Sequence, residues 1–227
     1  MATKAVLAEL TSAFQARTGQ PVAFDAAGGV DVVRRVRSGE LFDVVALARD
    51  AIEALIAIGQ LVGRPVDLAQ SGVAVAVRSG APRPDISSED AVRRAVLAAR
   101  TVGASTGPSG LALARLFERW GVAAELRDRI VTPPPGTPVG ALVASGHVEL
   151  GFQQLSELTR LEGIDVVGPL PPPVQIVTTF SAAVGAGARQ PEAARALIAF
   201  LASPAAGEAK RRHGMAPAER APEGGAP

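Results

Sequence analysis

Two kinds of apolar pattern alternate along the chain. Segments with apolar positions three and four residues apart read as amphipathic helices, and short runs of Val, Ala, Leu and Phe bounded by Gly, Pro or Ser read as buried strands. From the amino end the pattern predicts a helix over residues 3–18, stopped by Gly19, and a short strand, VAF, after Pro21. The Gly28-Gly29 turn leads to a helix over 31–38 stopped by Gly39, then the strand FDVVAL and a helix over 50–58 ending at Gly59. The cleanest strand is the run SGVAVAVRSG, starting at Ser71. Beyond it, Ser87-Ser88-Glu89-Asp90 caps a helix running to about residue 99, RTVGAS forms the next strand, and STGPSG opens a helix over 111–120 that Gly121 stops. The proline run Pro133 to Pro135 leads to a helix near 139–144 and the strand HVELGF. A second run, Pro171 to Pro173, precedes the strand VQIVTTFSAAV, and a helix over 191–201 has Pro191 near its first turn. Helices and strands in this alternation predict an α/β fold with mainly parallel sheets flanked by helices.

The same order of features occurs twice. VRSGELFDVVA, starting at Val36, and VASGHVELGFQ, starting at Val143, both run from a helix end through a Ser-Gly stop and a short turn with an acidic residue into an apolar strand. The Ser-Gly pairs begin at 38 and 145, an offset of 145 − 38 = 107 residues, close to half of the 227-residue chain. Two similar units at half-chain spacing predict two lobes, with the strands at 71–78 and 174–184 as crossovers. Lobe 1 is then 1–75 plus 180–216, lobe 2 is 76–179, and the Pro/Gly/Ala/Glu-rich segment 217–227 is a disordered tail. A ligand is expected at the junction of such lobes.

Composition narrows the function classes. At 48% hydrophobic and 20% charged residues the chain is globular, and no run approaches 18 consecutive apolar residues. The amino-terminal segment is interrupted by Lys4, Glu9 and Arg17 and reads as an amphipathic helix, neither a membrane span nor a signal peptide. With no cysteine there is no disulfide, no thiolate nucleophile and no thiolate-bound metal, and two isolated histidines argue against a metal site. A net charge of +1 argues against a nucleic-acid surface. No cofactor is expected.

The candidate chemistry lies in four turns that open helices: Ala2-Thr3-Lys4, Ala27-Gly28-Gly29-Val30, Ser105 to Gly110, and Gly136 to Val139. Each presents unpaired backbone N–H groups at the positive end of a helix dipole, an arrangement that binds anions without a cage of cations. Glycine at 28, 29 and 110 permits close approach of a ligand to the backbone, and Thr3, Ser105, Thr106 and Ser109 add hydroxyls. Ordinary capping accounts for any one of these residues, and only the four together favour a pocket. A competing motif, Gly103-Ala104-Ser105-Thr106-Gly107, matches the nucleophile elbow of hydrolases, with His147 or His213 as partner. Pro108 directly after it and the lack of an HGGG-like segment argue against that use, and His213 beside Arg211 and Arg212 reads as solvent-exposed.

Taken in order, SGELFDVVA, SGVAVAVR, STGPSG before LALARLFERWG, VGALVASGHVELGFQQLSEL and the closing PEAARALIAFLASPAAGEAKRRHG resemble the molybdate-type substrate-binding proteins of bacterial ABC importers. The resemblance covers residues 1–217 and implies a type II periplasmic-binding fold with a small anion held at the same four turns. It places the ligand contacts at Ala2-Thr3, Gly28, Gly29, Val30, Ser109, Gly110, Pro138 and Val139, with the family's tyrosine position at Gln154, and the turns themselves add Lys4 and Ser105 as candidate contacts. It further implies a monomer that partners an ABC permease, with no nucleic acid and no membrane insertion. The family's first β-strand has no counterpart here, so an upstream strand and signal peptide are expected to have been removed, with the periplasm as native compartment.

The second turn carries Gly and Val where molybdate binders commonly have serines, the first has no serine, and the chain contains no tyrosine. The expected ligand therefore moves from molybdate toward a carboxylate or another oxyanion. A subset similar to this family, aconitate isomerase among them, isomerises unsaturated tricarboxylates, which is the alternative function. That chemistry needs a base, for which Lys4, Asp25 and Glu157 are the candidates against a reading as plain surface charges.

Overall fold

The computed structural model describes residues 1–134 and 136–218. In chain order the elements are α1 (Lys4–Thr18), α2 (Gly29–Arg37), β1 (Val44–Ala48), α3 (Arg49–Ala57), β2 (Leu61–Arg78), α4 (Glu89–Ala98), β3 (Val102–Gly103), α5 (Pro108–Arg119), α6 (Ala123–Leu126), β4 (Ile130–Val131), α7 (Val139–Ala144), β5 (Leu150–Gln154), α8 (Leu155–Leu158), β6 (Ile164–Pro169), β7 (Val177–Gly185), α9 (Pro191–Ala202), α10 (Gly207–Arg212) and β8 (Ala216–Pro217). The chain divides into two compact units, one of Thr3–Gln70 with the chain from Thr179 onward, the other of Ser71–Thr178.

In the first unit β7 lies between β1 and β2, and β8 adds to β2 at Gln70 and Ala69. β1 runs antiparallel to β7, with Val44 opposite Val184 and Ala48 opposite Phe180. One face buries Val6, Leu10 and Phe14 of α1 with Ala194, Ile198 and Leu201 of α9. A second cluster packs Val36 of α2 and Ile52 and Leu55 of α3 against Val45 and Leu47. The α1 stripe follows from apolar positions three and four apart, and the helix stops where Gly19 takes a left-handed φ of 71° and donates its N–H to Gln15.

In the second unit β5 pairs antiparallel with β2 (Val73 opposite Gln154) and parallel with β3 (Val102 opposite Leu150), and β3 pairs parallel with β4. β6 lies antiparallel on the other edge of β2 with a register shift between Val75 and Ala76. The core joins Val73, Val75, Val92, Val96, Val102, Leu113, Phe117, Leu126 and Phe152. α4 is the one of these helices with a side-chain cap, the Ser88 hydroxyl accepting the Ala91 N–H at 3.2 Å.

The α/β class with helices flanking the sheets stands, but the sheets are mixed rather than mainly parallel. Each of the four antiparallel pairings, β1–β7, β2–β5, β2–β6 and β2–β8, involves β2 or β7, the strands in which the chain passes from one unit to the other. Local differences have local causes. The expected strand VAF is irregular because the Val22 N–H goes to the Gln15 side chain at 3.0 Å instead of to a ladder. β2 begins at Leu61, ten residues before the expected strand, because pairing carries it through Gly63 (φ 86°) and Pro65, which read as breakers in the sequence. Pro217, expected to open a disordered tail, instead pairs with Ala69 in β8; residues 219–227 of that tail lie outside the described residues, as does Pro135 of the first proline run.

The internal repeat is a repeat of backbone conformation. α2 and α7 start from Gly28 (φ −60°, ψ 144°) and Pro138 (φ −74°, ψ 149°). They end at Ser38 and Ser145, each hydroxyl bonding the carbonyl three residues back, and Gly39 and Gly146 follow with φ 90° and 80°. The strands that come next, β1 and β5, end in Ala48 and Gln154, the extended residues before α3 and α8.

Candidate functional site

In the first unit, Thr3 precedes α1 and Gly28 precedes α2, and neither helix has a side-chain cap. The first intrahelical bonds are Leu7 N–H to Thr3 and Val32 N–H to Gly28, both 2.9 Å, which leaves the amides of Gly29, Val30 and Asp31 without helical partners. Lys4 is exposed, and its N–H is used by the Met1 carbonyl at 3.0 Å. Gly28 and Gly29 have no steric need to be glycine: an added Cβ would meet Asp31 Oδ2 at 3.5 Å and Leu47 Cδ2 at 3.8 Å respectively. Val30 is 70% exposed, an apolar side chain standing beside free amides. Asp31 puts a carboxylate in the same turn, and Arg34 pairs with it at 2.9 Å.

In the second unit, Gly107 precedes α5 without a side-chain cap, and Leu111 N–H makes the first helical bond at 3.1 Å. Pro108 has no N–H, so Ser109 and Gly110 hold the free amides. The Ser105 and Ser109 hydroxyls stand 3.4 Å apart, Ser109 buried and Thr106 exposed. Gly110 has a reason other than ligand access, because a Cβ there would lie 1.7 Å from the Ser105 carbonyl oxygen. The turn before α7 is less open than expected. Pro138 offers no N–H, the Val139 side chain is fully buried, and the Gly140 N–H is already taken by Gln153 Oε1 at 3.0 Å.

The end of β5 carries the densest polar group in this unit. Gln154, 4% exposed, donates from Nε2 to Thr178 Oγ1 at 2.7 Å, and its Oε1 is buried without a hydrogen-bond partner among the described residues. Its neighbour Gln153 donates from Nε2 to Glu157 Oε2 at 2.8 Å. Burial raises the Glu157 carboxyl above its ordinary value, with the Gln153 bond pulling the other way. Among the three candidate bases, Asp25 is an exposed partner of Arg35 at 2.7 Å, which lowers its carboxyl, so Glu157 alone is a half-buried carboxyl. Sequence reading as a surface charge missed it; the signal was the four-residue step from Gln153 across the end of a strand into a helix.

The hydrolase motif gains nothing from the fold. His147 is exposed and bonds Ser145 at 2.8 Å, while His213, expected in solvent, is 2% exposed and bonds Glu9 at 2.8 Å. Neither reaches Ser105. The described residues contain no cluster of metal-ligating side chains and no helix long and apolar enough to cross a membrane.

Comparison with known proteins adds three findings. The family model described as bacterial extracellular solute-binding protein matches residues 1–216. An aconitate isomerase from Pseudomonas sp. is 39% identical over 223 residues, 94% of this chain and 84% of that protein. Among solved structures, the periplasmic molybdate-binding protein of Azotobacter vinelandii superposes with a TM-score of 0.77 at 19% identity, covering 94% of this chain and 95% of that one. The substrate-binding domain assigned to a molybdenum ABC transporter of Clostridium difficile gives 0.75 at 15% identity and 96% of both chains. The type II periplasmic-binding fold is thus common to this chain and these structures.

Proposed function

This chain belongs to the bacterial extracellular solute-binding proteins, and on that premise we propose that it captures a small carboxylate or oxyanion in the periplasm, as a monomer, for the permease of an ABC importer. One observation carries the ligand class: the hydroxyls that sequence reading assigns to helix caps do not cap. Thr3 makes no cap bond to α1, and α5 starts uncapped beside Ser105 and Ser109, whereas Ser88 caps α4 as its residue type leads one to expect. Free amides, dipole ends and hydroxyls not spent on caps suit an anion. Gly28 and Gly29 fit the same reading, since nothing inside the protein requires glycine there.

A carboxylate is favoured over molybdate. The 39% identical relative bears the name aconitate isomerase, and the second turn carries Gly and Val where molybdate binders commonly have serines. The unpartnered Gln154 Oε1, an acceptor, adds a preference only for a ligand that also carries a hydroxyl. The test is a thermal-shift screen of molybdate, tungstate, sulfate, phosphate and di- and tricarboxylates. A ligand at about 100 times its Kd adds about 2.7 kcal/mol to folding stability, so one class raises the midpoint and the others leave it. A panel in which no anion moves the midpoint overturns the anion-binding reading.

The second reading is an isomerase of an unsaturated tricarboxylate. The 39% identical relative bears the name aconitate isomerase, and Glu157 is a half-buried carboxyl whose proton affinity burial raises. Interconversion of cis- and trans-aconitate by the purified chain tests it, and no turnover at saturating substrate rejects it.

A further inference from the structure

The orientation of the Gln153 amide is fixed from outside the side chain. Its Oε1 accepts the buried backbone N–H of Gly140 at 3.0 Å, and since a backbone N–H can only donate, the oxygen and nitrogen of the amide cannot be exchanged. The Nε2–H must then point at Glu157 Oε2, 2.8 Å away, which requires that oxygen to be an acceptor. The chain of bonds from Gly140 through Gln153 favours Oε2 as the carbonyl oxygen and Oε1, which makes no hydrogen bond among the described residues, as the one that carries any proton on Glu157. A half-buried carboxyl with one oxygen anchored and the other able to gain and lose a proton is the geometry of a positioned general base.

We propose that Glu157 Oε1 is the proton-carrying atom of a 1,3-proton shift on a bound unsaturated polycarboxylate, with Gln153 as its positioning residue. The inference rests on the isomerase reading above. The carboxylate takes a proton from the methylene carbon that lies next to both a carboxylate and the double bond. The C–H electron pair moves into the allylic system, the double bond shifts by one carbon, and Glu157, whose Oε1 proton exchanges with solvent between the two steps, delivers a proton to the far allylic carbon. One C–H bond breaks and one forms, the carboxylate ends as it began, and no oxidant or reductant is involved. Burial raises this carboxyl, which favours its holding a proton between the two steps.

The experiment follows trans-aconitate by proton NMR in D2O with the full chain, alongside calorimetric binding of the same compound. The expected result is isomerisation with deuterium entering the allylic positions. In Glu157→Gln, whose side-chain oxygen still accepts from Gln153, both signals fall about 100-fold or more while the Kd stays within a few-fold. Gln153→Leu frees the carboxyl, so kcat falls and KM holds, a split that general destabilisation does not produce. Isomerisation that persists in Glu157→Gln overturns the assignment of the base. Binding by the wild-type chain with no isomerisation and no deuterium uptake overturns proton transfer and leaves solute binding standing. Absence of binding to any carboxylate removes the carboxylate reading itself.

Discussion

Gln154 donates to Thr178 at 2.7 Å through Nε2, and this single bond turns its other end, Oε1, into a buried acceptor with no partner among the described residues. A buried unsatisfied carbonyl destabilises a fold by about 1–3 kcal/mol, a cost that the proposed binding role of Gln154 would account for. Gln154→Leu is therefore expected to hold or raise the thermal midpoint while weakening ligand binding by about tenfold or more, the equivalent of about 1.4 kcal/mol. Melting curves and calorimetry on one preparation check both directions. A midpoint that falls with affinity unchanged assigns Gln154 to the core instead.

Two glycines separate the needs of the fold from those of the ligand. Gly29→Ala places a Cβ 3.8 Å from Leu47 Cδ2, an ordinary contact at the first position of α2. Stability should rise by about 0.4–1 kcal/mol through the unfolded state, with weaker binding if the turn faces the ligand. Gly110→Ala meets the Ser105 carbonyl oxygen at 1.7 Å and should lower stability by about 1–3 kcal/mol. Chemical denaturation of the two variants reads out the contrast.

Ser105 distinguishes ligand binding from hydrolysis. No histidine reaches it, so a serine-directed fluorophosphonate should leave the chain unlabelled. Ser105→Ala should weaken anion binding several-fold, in line with the loss of one hydrogen bond of about 1 kcal/mol, and should leave the fold intact. Stoichiometric labelling of the wild-type serine contradicts this assignment.

Acid should loosen the carboxyl-terminal helix before the rest of the first unit. Hydrogen bonds from His213 and then Arg212 hold the Glu9 carboxyl below its ordinary value. A depressed pKa stabilises the fold above the unfolded-state pKa, and that contribution is lost as pH falls through the folded-state pKa. Glu9→Gln should thus lower the midpoint at neutral pH, and the difference from wild type should shrink as pH falls below the ordinary glutamate value of about 4.3. Glu9 is partly exposed, so the effect is about 1 kcal/mol or less. A difference that is constant from pH 7 to pH 3 shows that the contact contributes through packing alone.

The sequence by itself determined what is local. Glycines fixed the helix ends at Gly19, Gly39 and Gly146, periodicity gave most helices to within a residue or two, and the Ser-Gly repeat at 38 and 145 marked a unit used twice. The four turns were legible for the same reason, because a strand end, a Gly or Ser turn and an apolar helix lie within a dozen residues. Only the tertiary structure decided which cap residues actually cap, that His213 is buried on Glu9, that β6 pairs with β2, and that Gln153 joins Gly140 to Glu157. Each of these depends on what distant segments bring to a side chain. A carboxylate looks the same in the sequence whether water or a protein interior surrounds it, and burial is what makes Glu157 a candidate base instead of a surface charge.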